Sequence, residues 1–207
     1  MERRRGRSCA CPRSCACQRV AKLSEGGYPL TFEGDKKRTI WKGRAFQFNV
    51  EEVSFPDGRK TVVEVIRHPG SSGIIPIEEP RSVILIRQFR PAVGRFIWEI
   101  PAGTMHPGED PLECAKRELQ EECGLLAQRF EKLGDILVAP GYSNERIHLF
   151  MATDLMPSKQ NLDEDEVLTT EVVPLDHAME MMENGEIQDA MTMVGLHMAH
   201  RELKRRS

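Results

Sequence analysis

The stretch that decides the fold is GTMHPGEDPLECAKRELQEECGL, residues 103–125. It predicts a helix with both ends marked. Asp110 is a capping residue, Pro111 suits the first helical position, and Glu113 stands three residues after the cap. Gly124 can take the left-handed conformation that closes a helix. The apolar residues between these ends recur at helical spacing and provide one face to bury: Leu112, Ala115 and Leu119.

Three glutamates share another face of this predicted helix. Glu118 and Glu122 are four residues apart and Glu121 is three from Glu118, so their carboxylates are neighbours. One interpretation is a solvated acidic face, which is what most charge runs are. The other is a site for a hard divalent cation, because oxygen ligands on a rigid helix suit Mg²⁺ and relieve the repulsion. The glutamates alone leave both interpretations open.

The whole stretch resembles the Nudix box, with every fixed position filled. Gly103 is followed after five residues by Glu109 and after seven more by Arg117-Glu118-Leu119, and the stretch ends in Gly124-Leu125. The resemblance implies a Nudix hydrolase, an enzyme that cleaves a nucleoside diphosphate linked to another moiety. It also implies an α/β fold, the Nudix-type α/β/α sandwich with a mixed sheet.

Strand patterns stand on both sides of the box. Residues 46–67 predict a hairpin, with alternating Phe46, Phe48 and Val50, a turn at Pro56-Asp57-Gly58, and a β-branched run. This hairpin belongs to a small N-terminal antiparallel β-sheet. Six further strands are predicted at residues 73–76, 82–87, 95–100, 130–138, 146–153 and 167–174. Strands before and after one helix, with two more helices at the C-terminus, indicate a mixed sheet covered on both faces.

Two helices are predicted after the last strand. The first runs to about residue 184 with Asp176 as its cap, and the second spans about residues 189–204. The stripe Met191, Val194 and Met198 on the second helix is interpreted as core or as part of a subunit interface.

The domain organisation follows from changes in composition. Residues 1–27 show no apolar periodicity and are expected to be a disordered extension. Alternatives for this segment are a thiolate site for a soft metal, contacts of its arginines with phosphate or a membrane surface, and a transit peptide. Residues 28–70 are assigned to the N-terminal β-sheet region and residues 71–207 to the Nudix hydrolase domain. The four cysteines of the extension are Cys9, Cys11, Cys15 and Cys17.

Composition excludes some classes of partner. The net charge of −3 argues against broad nucleic-acid binding, which needs a basic field. No apolar run approaches the ~20 residues of a membrane helix. Cys114 and Cys123 are about 13 Å apart on the predicted helix, too far to bridge. We therefore expect a cytoplasmic protein with no nucleic-acid or membrane partner.

Outside the box, the sequence is similar to the ADP-ribose pyrophosphatases. The similarity is carried by residues 87–90 (RQFR), 98–103 (WEIPAG) and 140–143 (PGYS), with Pro140 fifteen positions after Leu125. It implies Mg²⁺-dependent hydrolysis of ADP-ribose to AMP and ribose 5-phosphate. The alternatives are a pyrophosphatase for ADP-glucose or another nucleotide sugar, and a catalytically silent ADP-ribose sensor. The complete set of box carboxylates favours the enzyme.

The resemblance also implies roles for individual residues. The metal ion is Mg²⁺, with Mn²⁺ as an alternative, and its ligands are Glu118, Glu122 and the backbone carbonyl of Ala102. Glu121 is an alternative ligand or an outer partner, and Arg117 pairs with Glu109.

Other implied roles concern water and substrate. Glu166, with Glu164 next, is the loop glutamate expected to activate water. Arg67, Arg90 and Glu99 match substrate-binding positions, although a structural ion pair is nearly as good an interpretation for Arg67.

The N-terminal hairpin predicts how the chain assembles. A hairpin of this size is marginal alone, so its aromatic face must be buried. Similar ADP-ribose pyrophosphatases are homodimers in which this sheet covers the partner's cleft, and we expect the same here. The competing outcome is that the hairpin packs on its own subunit.

Overall fold

The structure is a computed structural model that describes residues 37–78, 80–164 and 166–206. Residues 1–27, with their predicted disorder and their four cysteines, lie outside the described residues. Residues 28–36 and Asp165 of the acidic loop lie outside them as well. No helix in the described ranges is long and apolar enough to span a bilayer.

The described residues form ten strands and three helices. The strands are β1 Lys37–Lys42, β2 Gln47–Ser54, β3 Lys60–Arg67, β4 Ser71–Glu78, β5 Ser82–Arg90, β6 Arg95–Glu99, β7 Ala102–Thr104, β8 Leu125–Leu137, β9 Arg146–Pro157 and β10 Leu168–Pro174. The helices are α1 Pro111–Cys123, α2 Leu175–Glu183 and α3 Ala190–Arg206.

The small N-terminal sheet has the order β1-β2-β3. Strands β2 and β3 pair in antiparallel register from Gln47 opposite Arg67 to Ser54 opposite Lys60. Asp57 in the turn accepts a hydrogen bond from the backbone N–H of Arg59 at 3.0 Å. The hairpin predicted from the alternating aromatics is therefore confirmed.

The main sheet has seven strands in the order β10-β5-β4-β9-β8, with β6 beside β5 and β7 beside β4. Strands β4 and β9 run parallel, whereas β5 pairs antiparallel with both β10 and β4. The sheet is therefore mixed, as predicted. Strand β5 lies inside it, which accounts for its continuous apolar run, since strands buried on both faces do not alternate.

Helices cover both faces of this sheet. Consecutive residues of β4 point to opposite faces. Ile74 packs with Ala115 and Leu119 of α1, whereas Ile75 belongs to the larger cluster with Leu175 and Leu196 of α2 and α3. The fold is the expected α/β/α sandwich, and the box helix has one face of the sheet largely to itself.

The helical cap predicted at Asp176 is wrong. Helix α2 begins at Leu175, its N-cap is Pro174, and no side chain caps it. The backbone N–H of Leu175 donates to the carbonyl of Arg81 at 3.0 Å, so a neighbouring turn satisfies the first free N–H of the helix. Asp176 lies in the first turn instead, with Oδ1 3.6 Å from His200 Nε2.

The core interpretation of the apolar stripe on the last helix holds for two of its three residues, and the subunit-interface alternative stays a prediction. Met191 is buried and Met198 packs against the core, but Val194 is 38% exposed. Gly195 faces the sheet in its place, where a Cβ would come within 3.2 Å of Ile75 and Ile100. A larger residue at position 195 would require Ile75 and Ile100 to move.

Candidate active site

The box helix forms with the ends that its sequence predicts. The Asp110 side chain accepts a hydrogen bond from the N–H of Leu112 at 2.8 Å, and Pro111 opens the helix. Gly124 is left-handed, with φ of 64°, and its N–H donates to the carbonyl of Gln120 at 2.9 Å. These local contacts set the register in which the glutamates face the sheet.

Of the three glutamates predicted to share one face of the helix, two are buried. Glu118 is 7% exposed and Glu122 is 1% exposed, while the side chain of Glu121 is 36% exposed. A solvated acidic face therefore does not describe Glu118 and Glu122. Buried carboxylates require partners or a cation, because transfer of a charge from water is costly.

Strand β7 places backbone directly over these carboxylates. The N–H of Ala102 donates to Glu122 Oε2 at 2.8 Å. A Cβ built on Gly103 would lie 1.9 Å from Glu118 Oε1, so a larger residue there would displace that carboxylate. The β7–α1 connection thus brings the main chain of residues 102–103 and both buried carboxylates to one point.

Arg117 links the box loop to the helix. Its Nε and Nη2 donate to the two carboxylate oxygens of Glu109 at 2.9 and 3.0 Å, a bidentate pair. Its Nη1 contacts Glu118 Oε1 at 2.6 Å and Glu121 Oε2 at 2.9 Å. The predicted pairing with Glu109 is observed, and hydrogen bonding to Arg117 lowers the pKa of Glu109 to about 2.

The pKa values of the two buried carboxylates are raised, so their charged forms are disfavoured. Burial raises the pKa of Glu118 to about 7; Arg117 opposes this, and the charges of Glu121 and Glu166 add to it. Burial, and then repulsion from Glu118, raise the pKa of Glu122 well above its ordinary value. A cation that replaced the protons would relieve this repulsion.

The structure brings Glu166 to this cluster. Its charge raises the pKa of both buried glutamates, which places it within electrostatic reach of them. Its carboxylate accepts a hydrogen bond from the N–H of Asp163 at 3.0 Å. Glu164, the second candidate, is exposed on the same loop.

Arg90 and Glu99 border the cluster as an ion pair. Arg90 Nε donates to the two oxygens of Glu99 at 3.1 and 2.9 Å across the β5–β6 hairpin. Glu99 is buried, and burial raises its pKa while Arg90 lowers it. The Arg90 charge also lowers the pKa of Glu122, so the pair lies close to the carboxylates.

Arg67 lies in a different environment. Its Nε donates to Glu51 Oε1 at 3.1 Å, its Nη2 pairs with the other oxygen, and Asn49 Nδ2 supports the same carboxylate at 3.0 Å. Arg67 also lines a groove of 460 Å³ beside Tyr142 and Arg146. A structural ion pair is therefore present, and the groove leaves a substrate role open.

Sequence reasoning missed two contributors. Glu51 holds Arg67 from 16 residues away on the paired strand, and Gln160 donates to the backbone carbonyl of Glu122 at 2.6 Å. Both contacts depend on tertiary structure. The β2–β3 hairpin pattern was the one signal that could have pointed to Glu51.

The oxygen atoms around Glu118 and Glu122 are suited to a cation, although protein groups now hold some of them. In residues 37–78, 80–164 and 166–206, no three His, Cys, Asp or Glu side chains form a ready-made metal cluster. Arg117 donates to one oxygen of Glu118, and the Ala102 N–H donates to one oxygen of Glu122. The chemistry still fits, because two buried carboxylates beside backbone oxygens suit a hard cation.

The cysteines near the site are not ligands of this kind. Cys114 and Cys123 are both free, as their spacing predicts. Burial raises the pKa of the Cys114 thiol to about 11 and also raises that of Cys123. Neither is a thiolate at neutral pH, so neither is a nucleophile or a soft-metal ligand there.

Comparison with known proteins agrees with this geometry. The sequence model of the NUDIX domain matches residues 67–192, well over half of the chain. The chain belongs to the Nudix hydrolase family. Nudix hydrolases cleave nucleoside diphosphate linkages and generally depend on a divalent metal ion.

Several relatives of this Nudix hydrolase carry more specific names. An ADP-ribose pyrophosphatase of Bacillus subtilis is 35% identical over 158 residues, which cover 75% of this chain and 85% of that protein. The ADP compounds hydrolase NudE of Escherichia coli is 31% identical over 170 residues, 80% of this chain and 90% of that one. A crystal structure of an ADP compounds hydrolase matches with a TM-score of 0.71 at 27% identity, covering 83% and 93% of the two chains.

Proposed function

We propose that this Nudix hydrolase cleaves the diphosphate bond of ADP-ribose to AMP and ribose 5-phosphate, with Mg²⁺ as its cation. The observation that carries the proposal is the buried Glu118–Glu122 pair, facing the main chain of Ala102 and Gly103. Similarity to proteins named ADP-ribose pyrophosphatase and ADP compounds hydrolase supports the choice of substrate.

Glu118, Glu122 and the Ala102 carbonyl are the proposed ligands of the cation. Carboxylate and carbonyl oxygens suit Mg²⁺, and Mn²⁺ is the alternative with the same ligand preference. A cation bound here neutralises the charge of the diphosphate and lowers the pKa of a bound water. Glu121, half-buried and held by Arg117, is the reserve ligand or outer partner.

Glu166 is the proposed general base, with Glu164 as the second candidate. A water oxygen attacks one phosphorus atom, its proton passes to the carboxylate, and the bridging P–O bond breaks to give two phosphomonoesters. Glu166 is favoured because its charge reaches Glu118 and Glu122, whereas Glu164 faces solvent.

Arg90, Glu99 and Arg67 are the proposed substrate contacts. Glu99 holds Arg90 through Nε, which leaves the Nη groups of Arg90 able to bind a phosphate oxygen. Arg67 lines the 460 Å³ groove, where its partly exposed guanidinium is available to a ribose or phosphate group.

A homodimer is proposed for the assembly, with the N-terminal sheet region (residues 28–70) covering the neighbour's catalytic domain (residues 71–207). Trp41 is 53% exposed, and Phe46 and Phe55 are also exposed on or beside the described strands of this sheet. Aromatic side chains of this kind favour association. A cytoplasmic location and the absence of a nucleic-acid partner are parts of the same proposal.

A substrate panel tests the activity. The purified protein is incubated with ADP-ribose, ADP-glucose and GDP-mannose, with Mg²⁺ or with EDTA, and phosphate is measured after a phosphatase that attacks only the phosphomonoester products. We expect ADP-ribose to give the highest kcat/KM and EDTA to abolish turnover. A higher kcat/KM for ADP-glucose would assign the alternative substrate, and no turnover of any compound would refute the proposal.

A further inference from the structure

The loop after β9 contacts the C-terminal end of the box helix through its backbone. The N–H of Ser158 donates to the carbonyl of Gly124 at 2.7 Å, and the N–H of Asn161 donates to the carbonyl of Glu121 at 3.0 Å. The last carbonyls of a helix have no partner inside the helix. Residues 158–161, which we call the clamp, supply donors to these carbonyls.

Gln160 adds a side-chain bond at the centre of the clamp. Its Nε2 donates to the backbone carbonyl of Glu122 at 2.6 Å. The loop also lies tightly on the helix cap, since a Cβ on Gly124 would be 3.1 Å from Gln160 N and 3.2 Å from Gln160 Cβ. Gln160 is itself an exposed residue, so it is not part of the apolar core.

A second anchor holds the other end of the same loop. The carbonyl of Val167 accepts a hydrogen bond from the N–H of Phe89 at 2.9 Å, where the loop enters β10. Between the two anchors lie five residues, 162–166. Within them, the N–H of Glu166 donates to the carbonyl of Asp163 at 3.1 Å.

We propose that Gln160 is a positioning residue that ties the loop bearing Glu166 to the helix bearing Glu118 and Glu122. The bond joins the loop to the main chain of Glu122 itself, so it affects both the position of that carboxylate and the point from which the chain continues to Glu166. This inference rests on the proposed roles of those glutamates. It adds a residue outside the box to the machinery.

The test compares Gln160→Met with Gln160→Ala and with Gln128→Ala. Methionine keeps the length of the side chain and removes only the amide, which separates hydrogen bonding from packing. Gln128 on β8 is the matched control, because it is also an exposed glutamine. Its Nε2 contacts Met156 Sδ on β9 at 3.4 Å. The readouts are Mn²⁺ affinity by electron paramagnetic resonance without substrate, the Tm, and kcat and KM for ADP-ribose.

We expect both Gln160 variants to bind Mn²⁺ about tenfold more weakly, as for other partners that orient a metal ligand. Their kcat should fall while KM for ADP-ribose changes less than about threefold, and Tm should stay within about 2 °C of wild type. Gln128→Ala should match wild type in every readout.

Several results would overturn the inference. Unchanged Mn²⁺ affinity in both variants would do so, as would a lower Tm at unchanged affinity, or normal affinity in Gln160→Met alone. The proposed function fails separately: if wild type leaves ADP-ribose intact but Mn²⁺ binding still depends on Gln160, the positioning role stands and the substrate assignment falls.

Discussion

Gly103 and Glu118 are in direct contact across the β7–α1 connection. A Cβ on Gly103 would lie 1.9 Å from Glu118 Oε1 and 2.4 Å from Oε2. Any larger residue at position 103 would push the Glu118 carboxylate out of this position, since no side-chain atom can approach a carboxylate oxygen so closely. Gly103 at the start of the box and Glu118 near its centre therefore pack directly against each other.

Gly103→Ala should displace the Glu118 carboxylate and cut kcat about 10²-fold or more, an activation cost of about 3 kcal/mol or more. Steady-state hydrolysis with saturating Mg²⁺ measures the loss. Gly134→Ala is the control, because its Cβ would also meet only a side-chain end, that of Met198 at 2.8 Å, and Met198 is not a proposed site residue. Equal activities of the two variants would contradict a catalytic role for the Gly103–Glu118 contact.

Glu122→Gln should nearly abolish turnover and leave the fold intact. Glutamine keeps the shape and can still accept the hydrogen bond from the Ala102 N–H, but it removes the charge that a cation needs. We expect a rate loss of about 10²- to 10⁴-fold, from ~3–5 kcal/mol of lost stabilisation. The Tm should not fall, because burial already raises the pKa of Glu122 and disfavours its charged form.

Glu113→Gln on the same helix is the control for this experiment. Its carboxylate is exposed and pairs only at the surface, with Lys116 Nζ at 2.7 Å. This control should retain wild-type rates. A Glu122→Gln enzyme with more than about a third of wild-type kcat at saturating Mg²⁺ would remove Glu122 from the proposed ligands.

Acid should weaken the Glu109–Arg117 pair in a defined pH window. Arg117 lowers the pKa of Glu109 from 4.5 to about 2, so the charged form is favoured in the folded protein. The pair therefore contributes its full stability above pH 4.5 and loses it as the pH falls towards 2. Glu109→Gln should lower Tm by about 2–6 °C at pH 7, and this difference should shrink by pH 3.

Thermal unfolding of both proteins at pH 7, 4 and 3 measures this difference. A difference that stays constant down to pH 3 would show that the carboxylate charge of Glu109 is not what stabilises the box loop.

The proposed dimer is tested first by light scattering at micromolar concentration, where a particle of twice the chain mass is expected. Mixing Arg67→Ala with Glu122→Gln subunits then tests whether the N-terminal sheet serves the neighbour's site. If Arg67 of one subunit reaches the active site of the other, each mixed dimer has one site free of both substitutions. Random exchange should then restore about one quarter of wild-type activity.

A monomer would end the dimer proposal at the first step. Demonstrated subunit exchange without recovered activity would place Arg67 in the site of its own subunit, or outside any site.

The box helix shows how far local sequence reaches. Asp110, Pro111 and Gly124 mark its ends through contacts within a few residues, and the four-residue step from Glu118 to Glu122 places both on one face. The strands of the mixed sheet could likewise be predicted, because alternation and continuous apolar runs are local patterns. The family match and the pairing of Arg117 with Glu109 came from the same stretch.

Contacts between distant segments could not be predicted in this way. Arg67 meets Glu51 because of hairpin register, and Arg90 meets Glu99 across the next hairpin. The burial that raises the pKa of Glu118 depends on a sheet folding over it. Neither periodicity nor spacing encodes such contacts.

The two C-terminal helices also show which features are local and which depend on tertiary structure. Asp176 follows the pattern of a cap, yet the carbonyl of Arg81 receives the first N–H of α2, and a neighbouring turn replaces the local signal. Likewise, Gly195 rather than Val194 faces the sheet, because the distance between α3 and β4 is a property of packing. The sequence by itself determined the family, the sheet and the carboxylate face; tertiary structure decided what each charged group meets, because hydrogen bonds and desolvation act between segments that only folding brings together.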